Sequence, residues 1–253
     1  MIVGNGLPSI VGRMGGKTRL KANIVNNYFP KDYEKMTYVE PFIGGGAVYF
    51  YKEPSVKEVI NDIDPQLIQV YKGFKKYDGD KITKSVDGHY TKEEFIKLRD
   101  SKPTTEYAKF IRLLLLFKMS FFGKLRSYDN KGQIIRIYDD RYKERLKNTT
   151  ILNTTYKNVI SKYDSPNTFF YLDPPYEGSD KGIYDFPDMD YEELAHILSS
   201  IKGKFLMSIN VSPRIKQLFN KFKFQKVKTE YTSVSASKSE KSLEKTEYII
   251  SNY

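Results

Sequence analysis

Thr168-Phe169-Phe170-Tyr171-Leu172-Asp173-Pro174-Pro175-Tyr176 reads as a buried strand that ends in an acid, two prolines and an aromatic ring. A short apolar run bounded by a rigid turn is a strand signal. The carboxyl edge of an open α/β sheet is where such folds bind ligands. The prolines fix φ and carry no amide hydrogen, so their backbone oxygens can face a ligand. The Asp173 carboxylate is a further acceptor. Two acceptors beside a flat aromatic face suit a planar ring that carries an amino group.

The totals narrow the partner. The chain has 253 residues, 40% of them hydrophobic, enough for one large domain or a core plus an insert. Formal net charge is +11 and the pI about 9.4, which points to an anionic partner unless the charge only serves solubility. The chain has no Cys, so disulfides, thiolate nucleophiles and cysteine zinc sites are excluded. Its two histidines, His89 and His196, are too few for a histidine metal cluster, and no metal is expected. Residues 1–12 show neither a basic start nor a long apolar run, and no stretch approaches the ~18 apolar residues of a membrane span. A cytoplasmic protein is expected. No internal repeat is visible, and Ser233 to Ser242 is a Ser/Lys-rich loop.

Working outward from the strand, Gly12-Arg13-Met14-Gly15-Gly16-Lys17-Thr18 opens a helix that runs to about Phe29. A phosphate loop needs four residues between its first glycine and Gly-Lys-Thr; here there are three, so an ATPase is disfavoured. A glycine turn with a lysine at a helix start can still hold a carboxylate. Thr37 to Glu40 reads as a strand, and Pro41-Phe42-Ile43-Gly44-Gly45-Gly46-Ala47-Val48 as a glycine loop entering a helix. Such a loop lets backbone approach a ligand closely. Val56 to Ile60 is a second strand, followed by Asn61-Asp62-Ile63-Asp64. An acid at that position commonly grips a ribose, in nicotinamide enzymes among others.

From about Tyr71 the alternation of strand and helix stops. Thr91 to Asp100 and Thr104 to Phe121 read as helices, with Leu113 to Phe117 as core. Ser127 to Gln133 reads as a hairpin turn and Ile134 to Tyr138 as its return strand. Residues 71–165 contain 22 Lys+Arg against 12 Asp+Glu, a net of +10, nearly the whole excess of the chain. Phe121, Phe122, Tyr128, Tyr138 and Tyr142 are interleaved with Lys124, Arg126, Lys131, Arg136 and Arg141. Concentrated cations among aromatics favour a nucleic acid. The alternation resumes with a strand at Thr150 to Leu152, a helix at Thr155 to Ser161 and the Asp-Pro-Pro-Tyr strand. Gly178 to Asp185 is a candidate lid. Helices at Tyr191 to Ser200 and Ser212 to Phe222, and strands at Lys204 to Ile209, Phe224 to Thr229 and Thr246 to Ser251, complete the chain.

The order Gly-Gly-Lys, Glu-Pro-Phe-Ile-Gly-Gly-Gly, Asn-Asp-Ile-Asp, basic insert, Asp-Pro-Pro-Tyr and Thr246-Glu247-Tyr248-Ile249-Ile250-Ser251-Asn252-Tyr253 resembles the Dam-type (DpnII-like) DNA adenine-N6 methyltransferases of bacteria and phages. The resemblance spans about Arg13 to Tyr253. It implies an α/β, Rossmann-like methyltransferase sheet interrupted by a mostly helical target-recognition insert. The core would be residues 1–70 and 165–253, the insert residues 71–164. It implies S-adenosylmethionine as methyl donor and double-stranded DNA as partner, with the target base flipped out of the stack.

By motif position Lys17 would meet the methionine carboxylate, with Arg13 nearby where the family usually has an aromatic ring. Glu40, Phe42, Gly44 and Gly46 would line the cofactor and Asp62 would hold the ribose. Asp173, Pro174, Pro175 and Tyr176 would be catalytic, Asp173 standing between cofactor and substrate. Lys124, Arg126, Tyr128 and Arg136 match the base-reading hairpin. After Gly132 the chain reads Gln133-Ile134-Ile135-Arg136-Ile137-Tyr138, where GATC-reading members usually carry Asn-x-Pro-Phe-Gly. A methyltransferase on RNA adenine or another planar amine, a catalytically inactive DNA-binding relative and a nicotinamide oxidoreductase are the competing readings.

Overall fold

The computed structural model describes residues 6–13, 15–120, 123–129, 133–134, 138–177, 189–227 and 247–253. The chain begins with α1 (Lys21–Tyr28), β1 (Thr37–Glu40), β2 (Lys57–Asn61) and α2 (Pro65–Lys76). It continues through α3 (Gly79–Val86), β3 (Gly88–His89), α4 (Lys92–Asp100), α5 (Glu106–Met119), β4 (Gln133–Ile134) and α6 (Arg141–Leu146). It returns with β5 (Thr150–Leu152), α7 (Tyr156–Tyr163), β6 (Thr168–Leu172), α8 (Tyr191–Leu198), β7 (Lys204–Asn210), α9 (Pro213–Leu218), β8 (Lys223–Lys226) and β9 (Glu247–Ser251).

One seven-stranded sheet has the order β5-β2-β1-β6-β7-β9-β8. The first five strands in that order are parallel, and β9 runs antiparallel to both β7 and β8. From β1 the chain moves outward through β2 to β5, then crosses back to lay β6 on the other side of β1. The strand order therefore reverses between β1 and β6, and a crevice opens at their carboxyl ends.

The strand residues divide between two cores because side chains alternate across a strand. Tyr38, Phe169 and Tyr171 face a core shared with α1 and α2, whereas Val39, Phe170 and Leu172 face α7, α8 and α9. The central strands β6 and β7 read as nearly continuous apolar runs because both of their faces are covered.

The helices start where side chains cap them. Asp64 accepts from the amides of Gln66 and Leu67 at the start of α2, and Thr91 forms a reciprocal capping box with Glu94 on α4. Thr105, Thr155, Asp190 and Ser212 cap α5, α7, α8 and α9.

The segment between α2 and β5 is not a separate globule. Leu113 to Phe117 of α5 are all buried, in the same core as Leu67 and Phe74 of α2. Each buried Leu or Phe contributes about 1.5–3 kcal/mol. Gly73 makes the α2–α5 approach possible: a Cβ there would lie 2.1 Å from Cδ2 of Phe110. A mid-helix glycine costs roughly 1 kcal/mol, which the close packing offsets. Arg145 of α6 ties this segment to the sheet. It pairs with Glu58 of β2 and donates to the Tyr49 hydroxyl at 2.8 Å, while Lys52 approaches the same carboxylate at 2.5 Å. Burial pushes the Lys52 ammonium down to about 8.

Three sequence expectations change. The glycine loop runs into hydrogen-bonded turns over residues 47–52 rather than a regular helix. Of the expected return strand Ile134 to Tyr138, residues 135–137 lie outside the described residues; Gln133–Ile134 is a strand whose partner is Gly88–His89. Ser120 and Tyr128 form an isolated bridge just before it. α3 and α6 have no clear signal in the sequence. The large sheet also draws β5 from within residues 71–164, and α2 crosses position 70. The candidate lid at Gly178 to Asp185 and the loop at Ser233 to Ser242 lie outside the described residues.

Candidate active site

The residues just past the carboxyl end of each strand line the crevice. Asn61 closes β2 and staples its neighbours: its amide donates to Pro41 O at 2.9 Å and Thr154 O at 3.0 Å, and its carbonyl accepts from Thr154 N. Two of the glycines after β1 adopt left-handed backbone, Gly44 at φ 46° and Gly46 at φ 74°. A Cβ on Gly46 would strike the Tyr71 hydroxyl oxygen at 2.6 Å, and one on Gly45 the Val11 carbonyl oxygen at 2.5 Å. A Cβ on Gly44 or Gly15 would meet no atom within 4 Å, so both loops border open space.

The loop is braced by an acid after β2. Asp62 accepts from Gly44 N and from Asp64 N, each at 3.0 Å. Burial raises its carboxyl above the ordinary range, against the opposing pull of Arg13 and the two amides. Arg13 itself pairs with Asp64 and lies 5.2 Å over the Phe117 ring. Phe42 packs on Tyr156, ring centroids 5.5 Å apart.

Glu40 ends β1 and is 2% exposed. It accepts from the Tyr38 hydroxyl at 2.6 Å. Burial pushes its carboxyl up to about 8; the Tyr38 bond opposes this and the Asp173 charge adds to it.

Asp173 follows β6, one step beyond the Leu172–Met207 pair. Its Oδ1 accepts from Lys17 Nζ at 2.6 Å and from Ser208 Oγ at 3.2 Å. Ser208 is fully buried on β7 and within 3.1 Å of the Tyr171 hydroxyl. Burial raises the Asp173 carboxyl, and the Lys17 ammonium partly restores its charged form. For Lys17, burial disfavours the charge, but Asp173 and Glu247 outweigh it and hold the ammonium above its ordinary value. Tyr176 donates its hydroxyl to Glu247, and Lys17 Nζ lies 4.8 Å from the centroid of its ring. Tyr191 of α8 donates to the Pro175 carbonyl, anchoring the turn from below.

The sequence-predicted residues Arg13, Lys17, Glu40, Phe42, Gly44, Gly46, Asp62 and Asp173 to Tyr176 thus gather at one sheet edge. Two further partners, Ser208 and Tyr191, escape motif reading, and Glu247 stands in the closing motif Thr246 to Tyr253 with no role assigned from the sequence. The only sign of the first two in the sequence is a polar residue within or beside an apolar run. Among the described residues, no group of three or more His, Asp or Glu side chains is arranged to hold a metal. No helix among them is long and apolar enough to cross a membrane.

The candidate nucleic-acid residues stand apart from this cluster. Lys124 is half-buried and Arg126 exposed, with Leu125 between them in left-handed backbone at φ 58°. Such a conformation in a leucine is held by its surroundings; Leu125 N donates to Ser120 Oγ at 3.1 Å. Gly123 brings this segment against the loop of residues 12–16, since a Cβ there would lie 2.9 Å from Gly12 O. The Tyr128 hydroxyl donates to Tyr90 O at 2.5 Å, and its ring packs near Phe95, so Tyr128 anchors the segment. Arg136 lies outside the described residues.

A family model described as D12 class N6 adenine-specific DNA methyltransferase matches residues 14–233. The chain is similar to the type II methyltransferase M.CviBI of Paramecium bursaria Chlorella virus NC1A, 27% identical over 238 residues, covering 88% of each chain. It is also similar to M.MjaIII of Methanocaldococcus jannaschii, 29% identical over 238 residues, covering 78% of this chain and 81% of that one. A third relative, M1.LlaDCHI of Lactococcus lactis subsp. cremoris, is 28% identical over 277 residues and covers 94% of this chain and 93% of its own. The match over 14–233 takes in both glycine loops, the basic segment and Asp-Pro-Pro-Tyr, and the chain belongs to the D12 class of N6 adenine-specific DNA methyltransferases.

Proposed function

We propose that this DNA adenine-N6 methyltransferase takes its methyl group from S-adenosylmethionine and acts on an adenine flipped out of the duplex. The observation that carries this is the juxtaposition at one sheet edge of the Asp173 turn, the glycine loop braced by Asp62, and buried Lys17. The residues present fit the cofactor. Open space borders Gly15 and Gly44. Lys17 offers an ammonium for the methionine carboxylate, with Arg13 beside the same loop. Asp62 offers acceptor oxygens for ribose hydroxyls, and Glu40, Phe42 and Gly46 complete the wall. S-adenosylmethionine supplies a methyl group on a sulfonium sulfur.

The rest is the work of this chain's own side chains. The adenine amino nitrogen is a poor nucleophile because its lone pair is delocalised into the ring. Asp173 and the Pro174 carbonyl each accept one amino hydrogen, which draws the nitrogen toward tetrahedral geometry and localises the lone pair. These acceptors sit ready in a partly buried site, so little reorganisation is needed at the moment of reaction. Tyr176 stacks on the flipped base. Pro175 holds the turn through Tyr191.

Residues 1–70 and 165–253 form the catalytic core, and β5 and α7 extend it, since β5 pairs with β2. The remainder of 71–164 recognises the target. Lys124, Arg126 and Arg136 meet DNA, and Tyr128 shapes the segment that presents them. The enzyme works in the cytoplasm, at the nucleoid or on DNA within a virus-infected cell.

The test is transfer of labelled methyl from S-adenosylmethionine to unmethylated genomic DNA, with nucleoside analysis and sequencing of the modified sites. N6-methyladenine confined to one short motif is the expected result. Cofactor binding without label in DNA, but with label in RNA, would overturn the substrate; absence of cofactor binding would overturn the mechanism.

A further inference from the structure

Glu247 has no part in that mechanism, yet two lines of contact meet on it. It opens β9, paired in register with Asn210 of β7, and is 8% exposed. Its Oε1 accepts from the Tyr176 hydroxyl and lies 3.4 Å from Lys17 Nζ. The same Lys17 ammonium donates to Asp173 Oδ1 at 2.6 Å and to Gly15 O at 2.9 Å. A carboxylate at the start of a buried strand costs desolvation that an apolar residue would not. Ile249 and Ile250, two and three positions on, show what packing alone selects here. A phenol bonded to a fixed carboxylate loses ring rotation and tilt, so Glu247 sets where the Tyr176 face points.

We propose that Glu247 is a positioning residue for methyl transfer: it holds the Tyr176 ring by its hydroxyl and shares Lys17 with Asp173, so ring, ammonium and carboxylate keep one geometry. This rests on the reading that Tyr176 stacks on the flipped adenine. Glu247 touches no reacting atom and acts through Tyr176 and Lys17.

The test is a double-mutant cycle on the full chain with Glu247→Ala, Glu247→Gln, Tyr176→Phe and the Glu247→Ala/Tyr176→Phe pair. Single-turnover methylation, fluorescence of DNA carrying 2-aminopurine at the target adenine, and calorimetric binding of S-adenosylhomocysteine are measured. Glu247→Ala is expected to slow the single turnover about 10- to 100-fold, the cost of a small misplacement, with a matching loss of 2-aminopurine response. Tyr176→Phe, which removes only the donor, slows it in the same direction. The pair is no slower than the slower single variant, as for two residues acting as one unit. Glu247→Gln keeps an acceptor for the phenol and recovers part of the loss.

Losses that multiply in the pair overturn the proposal, as does a folded Glu247→Ala variant with wild-type rate and fluorescence. A defect confined to S-adenosylhomocysteine affinity overturns it too, because that marks Glu247 as a counter-ion for Lys17 alone. If Glu247→Ala does not fold, Glu247→Gln and Tyr176→Phe carry the test, and wild-type behaviour in both overturns it. A Tyr176→Ala variant separates the levels. If it is inert, the stacking reading falls and the proposal with it; if it is impaired while the Glu247 variants are inert, the proposal alone falls.

Discussion

Replacing Glu40 by Gln should change how the protein's stability depends on pH. Glu40 is 2% exposed and its carboxyl is pushed up to about 8, against about 4.3 for glutamate in an unfolded chain. The folded state therefore holds this proton more tightly, and between those two values it binds more protons than the unfolded chain. Stability must fall as pH rises across that window. At about 1.4 kcal/mol per pH unit, the full gap is worth roughly 5 kcal/mol, of which about 4 kcal/mol is expressed between pH 5 and pH 9. Gln keeps the acceptor for Tyr38 and cannot ionise.

Urea unfolding of both proteins at pH 5, 7 and 9 measures the effect. With an m-value of about 3 kcal/mol/M, the midpoint of the variant relative to wild type should climb by more than ~1 M across the series. Parallel stability–pH curves for the two proteins would refute the reasoning, since they would mean that Glu40 ionises alike in folded and unfolded chains. At neutral pH this predicts a mostly protonated Glu40, so its carboxyl adds no full negative charge to the crevice.

Other substitutions test the remaining contacts. Asp173→Ala should leave less than about a tenth of wild-type turnover with DNA binding retained, as expected for loss of an acceptor placed for the transition state, in a labelled-methyl assay and a gel-shift titration. Lys17→Met removes the group that keeps Asp173 charged, so the acid limb of the single-turnover pH profile, where activity falls as Asp173 takes a proton, should move to higher pH; an unmoved limb would disconnect the two. Gly46→Ala should cost about 2–3 kcal/mol in thermal or urea unfolding, because alanine at φ 74° would also press on Tyr71 and Phe50. Arg126→Ala should relax the choice at one base position by about 1–3 kcal/mol in competition between DNA sequences; a uniform drop would make it a phosphate contact.

The strands that build the crevice can be read locally: Thr37–Glu40, Thr150–Leu152 and Thr168–Leu172 are bounded to the residue, and burial on both faces of the last leaves an unbroken apolar run. Helix starts are legible at Thr91 and Thr155 because their caps are chemical signals within one turn. The positions of Lys17, Glu40, the glycine loop, Asp62 and Asp173 to Tyr176 come from motif order, since each sits where a strand or a helix turn meets the same edge. α3 and α6 escape notice because short helices owe their stability to tertiary packing more than to periodicity. β4 pairs with His89 and Gly88, more than forty residues earlier, a choice that local turn chemistry does not encode.

The sequence by itself therefore determined the α/β alternation, the basic character of the central segment and the type of chemistry at Asp173. Only tertiary structure decided which strands adjoin, and so which distant side chains share a charge. Lys17, Asp173, Tyr176 and Glu247 are separated by up to 230 positions, yet a single ammonium and a single carboxylate oxygen link them. The physical reason is range: propensity, caps and alternation act over a few residues, whereas desolvation and Coulomb attraction act on whatever the sheet order brings within a few ångströms.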